Sequence, residues 1–94
     1  MNEIIQRYKD TKTPRGNELR VDENGDETII WYLFWGEYAG VDDHHHMGIA
    51  RVIPTGNGFK IGWLRGTDQK PYESEQVKDL NELYATLDSV IANR

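Results

Sequence analysis

A chain of 94 residues with 16 acidic and 11 basic side chains carries a net charge of -5 and suits one domain, residues 1–94, with a modest core. It has no cysteine, which excludes a disulfide framework and cysteine-based zinc or redox sites. Its longest apolar run, residues 29–35, is far short of a membrane helix, and its polar first ten residues lack a signal-peptide core, so the expected setting is cytoplasmic with no membrane partner.

Residues 2–10 predict a short N-terminal helix, with Ile4, Ile5 and Tyr8 on one side. So short a helix needs tertiary support. Residues 11–17 read as a loop broken by Pro14 and Gly16, where Lys9, Lys12 and Arg15 form a small positive patch. Residues 18–22 read as a strand with Leu19 and Val21 on one face. Asn24-Gly25 is the strongest hairpin signal, because both positions accept positive φ. A two-residue loop there opposes Glu23 to Asp26 and Asp22 to Glu27. It also puts Leu19 and Val21 on the face of Ile30, Tyr32 and Phe34. The hydrophobic match supports that register, and the opposed carboxylates work against it.

Residues 28–38 are the most apolar stretch, and their β-branched and aromatic content predicts the strand around which the rest is arranged. Ile29, Trp31, Leu33 and Trp35 point one way; Ile30, Tyr32 and Phe34 point the other. Both faces therefore need cover. Residues 39–46 read as a polar loop. Residues 47–54 and 59–65 predict third and fourth strands across a tight turn at 55–58, which keeps Ala50 and Val52 with Phe59, Ile61 and Trp63. Residues 66–73 read as another loop. Val77, Leu80, Leu83, Tyr84, Leu87, Val90 and Ile91 recur with helical spacing and predict a C-terminal helix. Asp79 with Glu82 makes a capping-box pattern, and Ser74 is a rival N-cap. A start at Asp79 leaves residues 75–77 as a short edge strand.

The expected fold class is α+β: a four-stranded antiparallel β-meander with a C-terminal α-helix packed on one face and a short N-terminal helix. The other face must meet the N-terminal segment, a second copy or a target, or be closed by curling of the sheet into a small barrel.

Asp42-Asp43-His44-His45-His46 is the one cluster with metal-ligand chemistry. On an extended backbone His44 and His46 share a side, Asp42 offers a third donor, and His45 points away. The chain has no other histidine, and a short His tract specifies little by itself, so no metal or cofactor is assigned. Residues 22–27 fail the calcium-loop pattern, which wants Gly and Glu where Glu27 and Leu33 stand. Residues 56–62 lack the Gly-Lys-Ser/Thr of a phosphate loop. With no nucleophile motif either, no catalytic residue is assigned and the chain is not expected to be an enzyme.

Charge is segregated. Residues 21–46 carry seven acidic and no basic side chains, placed at both ends of the central strand. Over a strand of about ten residues the two ends stand roughly 30 Å apart. Such a surface fits a basic site on a partner protein and speeds association by steering. Trp35 and Tyr38 add aromatic anchors near the strand end. The expected partner-binding residues are therefore Asp22, Glu23, Asp26, Glu27, Trp35, Glu37, Tyr38, Asp42 and Asp43. The expected function is that of a small acidic interaction protein, compatible with a homodimer. Small size, acidity, absent cysteine and absent catalytic motifs make it similar in general type to phage-encoded inhibitors and toxin-immunity proteins, with no motif matched. The competing expectation is a small-ligand, nucleotide or single-stranded nucleic-acid module. There, bases stack on Trp31, Tyr32, Phe34, Trp35, Phe59 and Trp63, with Arg51, Lys60 and Arg65 on phosphates. The negative net charge disfavours nucleic acid.

Overall fold

The computed structural model describes residues 2–94. In chain order they form α1 (Glu3–Tyr8), β1 (Leu19–Asn24), β2 (Glu27–Tyr38), β3 (Val41–Thr55), β4 (Gly58–Trp63), β5 (Glu73–Val77) and α2 (Leu80–Ile91). The strands make one antiparallel sheet in the order β1-β2-β3-β4-β5, a meander in which chain neighbours pair. The α+β class and both helices match the sequence expectation, but the sheet has five strands, not four. The fifth spans Glu73–Val77, and its Val77, counted in the helical stripe from sequence, instead lies opposite Phe59. The helix begins after it. The Asp79 carboxylate accepts the Glu82 N–H at 2.9 Å, and the Glu82 carboxylate accepts the Lys78 N–H at 3.3 Å. Asp79 rather than Ser74 is thus the N-cap, satisfying donors that the first turn leaves free.

One face of the sheet carries Leu19, Ile30, Ala50, Val52, Ile61, Trp63 and Val77, which cluster with Ile4 and Tyr8 of α1 and with Leu83, Leu87 and Ile91 of α2. Leu83 and Leu87 are wholly buried, each stabilising the fold by about 1.5–3 kcal/mol. Arg7 and Tyr8 fasten α1 to α2 by donating to the two oxygens of Asp88, at 2.7 and 2.8 Å. Burial, and then the hydrogen bond to Asp88, raises the Tyr8 phenol well above its ordinary pKa.

The β1–β2 hairpin turns at Gly25-Asp26, not at Asn24-Gly25. It pairs Asn24 with Glu27, Glu23 with Thr28 and Asp22 with Ile29. This register differs from the expected one by two residues, so every side chain keeps its face. Leu19 and Val21 still lie with Ile30 and Tyr32. The opposed carboxylates are gone, which removes the repulsion that the expected register carried.

At its centre the second face is covered within the chain, and neither by the N-terminal segment nor by closure of the sheet into a barrel. Residues 64–72 fold back over it instead. Leu64, only 4% exposed, lies over Gly48, where an added Cβ would stand 2.7 Å from the Leu64 Cβ. Pro71 lies over Gly62 in the same way. Arg51 donates to the Gln69 carbonyl at 2.7 Å and to Glu27 at 2.6 Å, pinning the segment to the sheet.

The largest departure is the β2–β3 hairpin. Residues 41–46, expected in a polar loop, are strand: Tyr38 pairs with Val41, Trp35 with His44 and Leu33 with His46. Only Ala39 and Gly40 form the loop, with φ of 54° and 83°. Positive φ at both central residues gives the primed turn whose twist matches the flanking strands. A register shift between Ile30 and Trp31 leaves Ile49 as the extra residue of a bulge, so both Ile49 and Ala50 are buried. Alanine is strained in the left-handed region where asparagine is tolerated. Ala39→Asn is therefore expected to stabilise the protein by about 1 kcal/mol. A urea midpoint that rises with unchanged slope meets this expectation, and a midpoint that stays or falls contradicts it.

Candidate binding arm

β2 and β3 outrun their neighbours. β1 and the residue before it flank β2 only as far as Leu33, whose N–H donates to the Glu18 carbonyl at 2.9 Å. The chain after β4 flanks β3 only as far as Gly48, whose N–H donates to the Gly66 carbonyl at 2.8 Å. Residues 33–46 therefore form a two-stranded arm, part of a molecule whose longest extent is 42 Å.

Cross-strand partners share a face, so the register sorts the arm into two surfaces. Trp31, Leu33, Trp35 and Glu37 alternate along β2, facing Gly48, His46, His44 and Asp42 of β3. The Trp31 and His46 rings lie 4.3 Å apart, those of Trp35 and His44 4.4 Å. Two aromatic–histidine pairs thus make a stripe that ends in two carboxylates. Trp35 is 70% exposed. The opposite surface packs on itself. The His45 ring lies 6.4 Å from Phe34 and 5.7 Å from Tyr38, and its Nε2 donates to the Val41 carbonyl at 3.0 Å. The Phe34 ring sits over Gly36, and the Tyr38 hydroxyl occupies the space that a Cβ on Gly66 would need.

Among the residues singled out from sequence, Trp35, Glu37 and Asp42 come together on the open surface of the arm. Asp43 lies on the other surface, and its carboxylate accepts the His44 N–H at 2.8 Å. Tyr38 is turned toward Gly66 and partly buried, so it is not a free anchor. Asp22, Glu23 and Asp26 stand at the far end of β2 and are exposed. Glu27 is held in an ion pair with Arg51, with both side chains less than a quarter exposed. That hydrogen bond raises the Arg51 guanidinium pKa further. The acidic block is therefore two separate clusters, and Glu27 belongs to the scaffold. Sequence reasoning missed that Trp31, His44 and His46 continue the Trp35 stripe. The signal was present in the matching period-two patterns at 31, 33, 35 and at 42, 44, 46.

The stacking set of the competing expectation is not gathered into one face. Trp63 is buried on the helix side, and its Nε1 donates to Glu75 at 2.8 Å. Phe59 packs against the same core. Arg51 is paired with Glu27, and the Arg65 guanidinium lies 4.0 Å from the Tyr72 ring centroid. His44 and His46 share a face with ring centroids 6.3 Å apart, as the extended backbone implied. Among the described residues no group of three or more His, Asp or Glu side chains is placed to hold a metal ion. At the root of the arm, Trp31, His46, Gly48, Leu64 and Asp68 help to line a cleft of about 240 Å³.

Comparison with protein-family models, with curated proteins and with solved structures gave no match. Among the described residues no helix is long and apolar enough to cross a membrane.

Proposed function

We propose that this chain is a small, non-enzymatic interaction protein of the cytoplasm, of inhibitor or immunity type, whose arm binds a basic site on a partner protein. The observation that supports this is the open surface of the arm, where Trp35 is 70% exposed beside Glu37 and Asp42. No lysine or arginine occurs anywhere in residues 21–50. A projecting ribbon adds little to the core, and a large aromatic left in water beside unopposed carboxylates is what an interface for a basic surface needs. Occupying a basic groove in this way is how an acidic inhibitor competes with a natural anionic ligand. Self-association through the arms is disfavoured, since each arm carries three carboxylates, those of Glu37, Asp42 and Asp43.

The test is charge reversal on the arm. Glu37 and Asp42 are exposed and form no ion pair among the described residues. Glu37→Lys with Asp42→Lys is expected to weaken partner binding about a hundredfold, while circular dichroism stays unchanged. Calorimetric titration against the protein that co-purifies from the chain's own cells measures this. Reversal at Asp26, away from the arm, is the control and is expected to change affinity by less than about threefold. Equal affinities for wild type and the double variant contradict the reading. Glu27 is unsuitable for such a test, because reversing it would also set two cations against each other at Arg51.

A further inference from the structure

We infer that the arm takes its partner by strand addition: an extended basic segment of that protein pairs with the free edge of β2 at Trp35 and Glu37. This rests on the interaction reading above and specifies the form of the partner. Main-chain groups along a strand alternate between its two edges. The Leu33 N–H is bonded on the β1 side, to Glu18. By that alternation the N–H and C=O of Trp35 and Glu37 point to the same side, where β1 no longer runs. They form no main-chain bond there among the described residues. An open edge of this kind is a template for a further strand.

The other edge of the arm is blunted. On that outer edge of β3 the His44 N–H is taken by the Asp43 carboxylate, and the Tyr38 hydroxyl packs at Gly66 on that side. The β2 edge is therefore the more open of the two. A two-stranded ribbon is weak alone in water, so a third strand gains by completing it.

The side chains flanking the open edge define what the added strand must carry. On one surface its residues meet the Glu37 carboxylate and the exposed Trp35 indole, which together favour lysine or arginine. On the other surface alternate residues meet Phe34, whose ring covers Gly36, which favours apolar side chains. The partner segment is thus an alternation of basic and apolar residues in extended form.

The probe is the blocked peptide Lys-Val-Lys-Val-Lys-Val, compared with Lys-Lys-Lys-Val-Val-Val of equal charge, each titrated against the full chain. Only the alternating peptide is expected to slow amide hydrogen exchange at Trp35 and Glu37, by about tenfold or more. Glu37→Pro removes the outward N–H at an edge position where proline is tolerated. It is expected to weaken binding of that peptide about tenfold more than Glu37→Gln, which removes the same charge. The exchange measurement needs no variant, so the inference stays testable if Glu37→Pro disturbs the arm. Equal binding of the two peptides, or equal effects of the two substitutions, overturns strand addition and leaves the acidic-surface reading standing. Absence of binding by the alternating peptide at millimolar concentration overturns strand addition as well.

Discussion

Gly58→Ala is expected to destabilise the protein by about 4 kcal/mol or more, a large share of a small domain's stability. Gly58 follows the β3–β4 turn with φ of 128°, a conformation that side chains rarely adopt. Strain of that kind costs about 1–3 kcal/mol by itself. The added Cβ would also overlap the Val77 carbonyl and stand 2.7 Å from the Lys78 carbonyl carbon. Both are main chain, so no side chain can swing aside. Relief requires moving the end of β5 away from β4, where Phe59 pairs with Val77. It would also shift the start of α2, because Lys78 and Asp79 cap that helix. Gly56, two residues earlier, supplies the control: an added Cβ there meets nothing within 4 Å. Gly56→Ala is expected to change the unfolding free energy, read from the urea midpoint and slope, by less than about 1 kcal/mol. Equal midpoints for the two variants would contradict the assigned packing of β5 on the β3–β4 turn.

Trp35→Ala is expected to weaken partner binding by about 2 kcal/mol or more, roughly thirtyfold, with little loss of stability. The asymmetry follows from where the indole stands. It is 70% exposed and outside the core cluster, and its ring contact is with His44 on the same arm. Removing it takes little apolar area out of the folded interior. At an interface the same ring offers a large apolar surface with few rotatable bonds, which is why aromatics dominate binding energies. A thermal midpoint within a few degrees of wild type, together with the loss of affinity measured by titration, separates this role from a structural one. A variant that unfolds early and binds normally once folded contradicts it.

How much of this was legible in the sequence depended on how local the signal was. The helix after residue 79 was readable because its apolar spacing and its cap both lie within a few residues. The faces of β1 to β4 were readable for the same reason, since alternation is set by the pleat. The fifth strand was legible only conditionally, as an edge strand at 75–77 if the helix starts at Asp79: Glu73–Val77 buries only Val77, so no alternation fixed its extent or its place in the sheet. The arm was hidden by two features. Ala39 at positive φ is not the residue a primed turn advertises, and the polar run 41–46 has no core to face. A strand outside the core can be polar on both surfaces and still pair through its backbone. Cover of the second face by residues 64–72 depended on Leu64 finding Gly48 and Pro71 finding Gly62, contacts that no local pattern encodes. The candidate site inherits these limits. Its residues Trp35, Glu37 and Asp42 were named from sequence, but their union on one surface required the hairpin register.

We propose that the arm, and not the sheet or the cleft at its root, binds the partner. The most direct measurement compares native mass spectra of the full chain and of a chain in which residues 35–44 are replaced by Asn-Gly. Phe34 and His45 are opposite one another, in phase with the Tyr38–Val41 pair that closes the natural turn, so the shortened hairpin keeps its register. Both chains are recovered from the cells that normally make the protein, and circular dichroism checks that both fold. The expected result is a full chain bound to a stoichiometric basic protein and a shortened chain that emerges alone. A shortened chain that keeps the same protein, or a full chain that carries nucleic acid or nothing, contradicts the account.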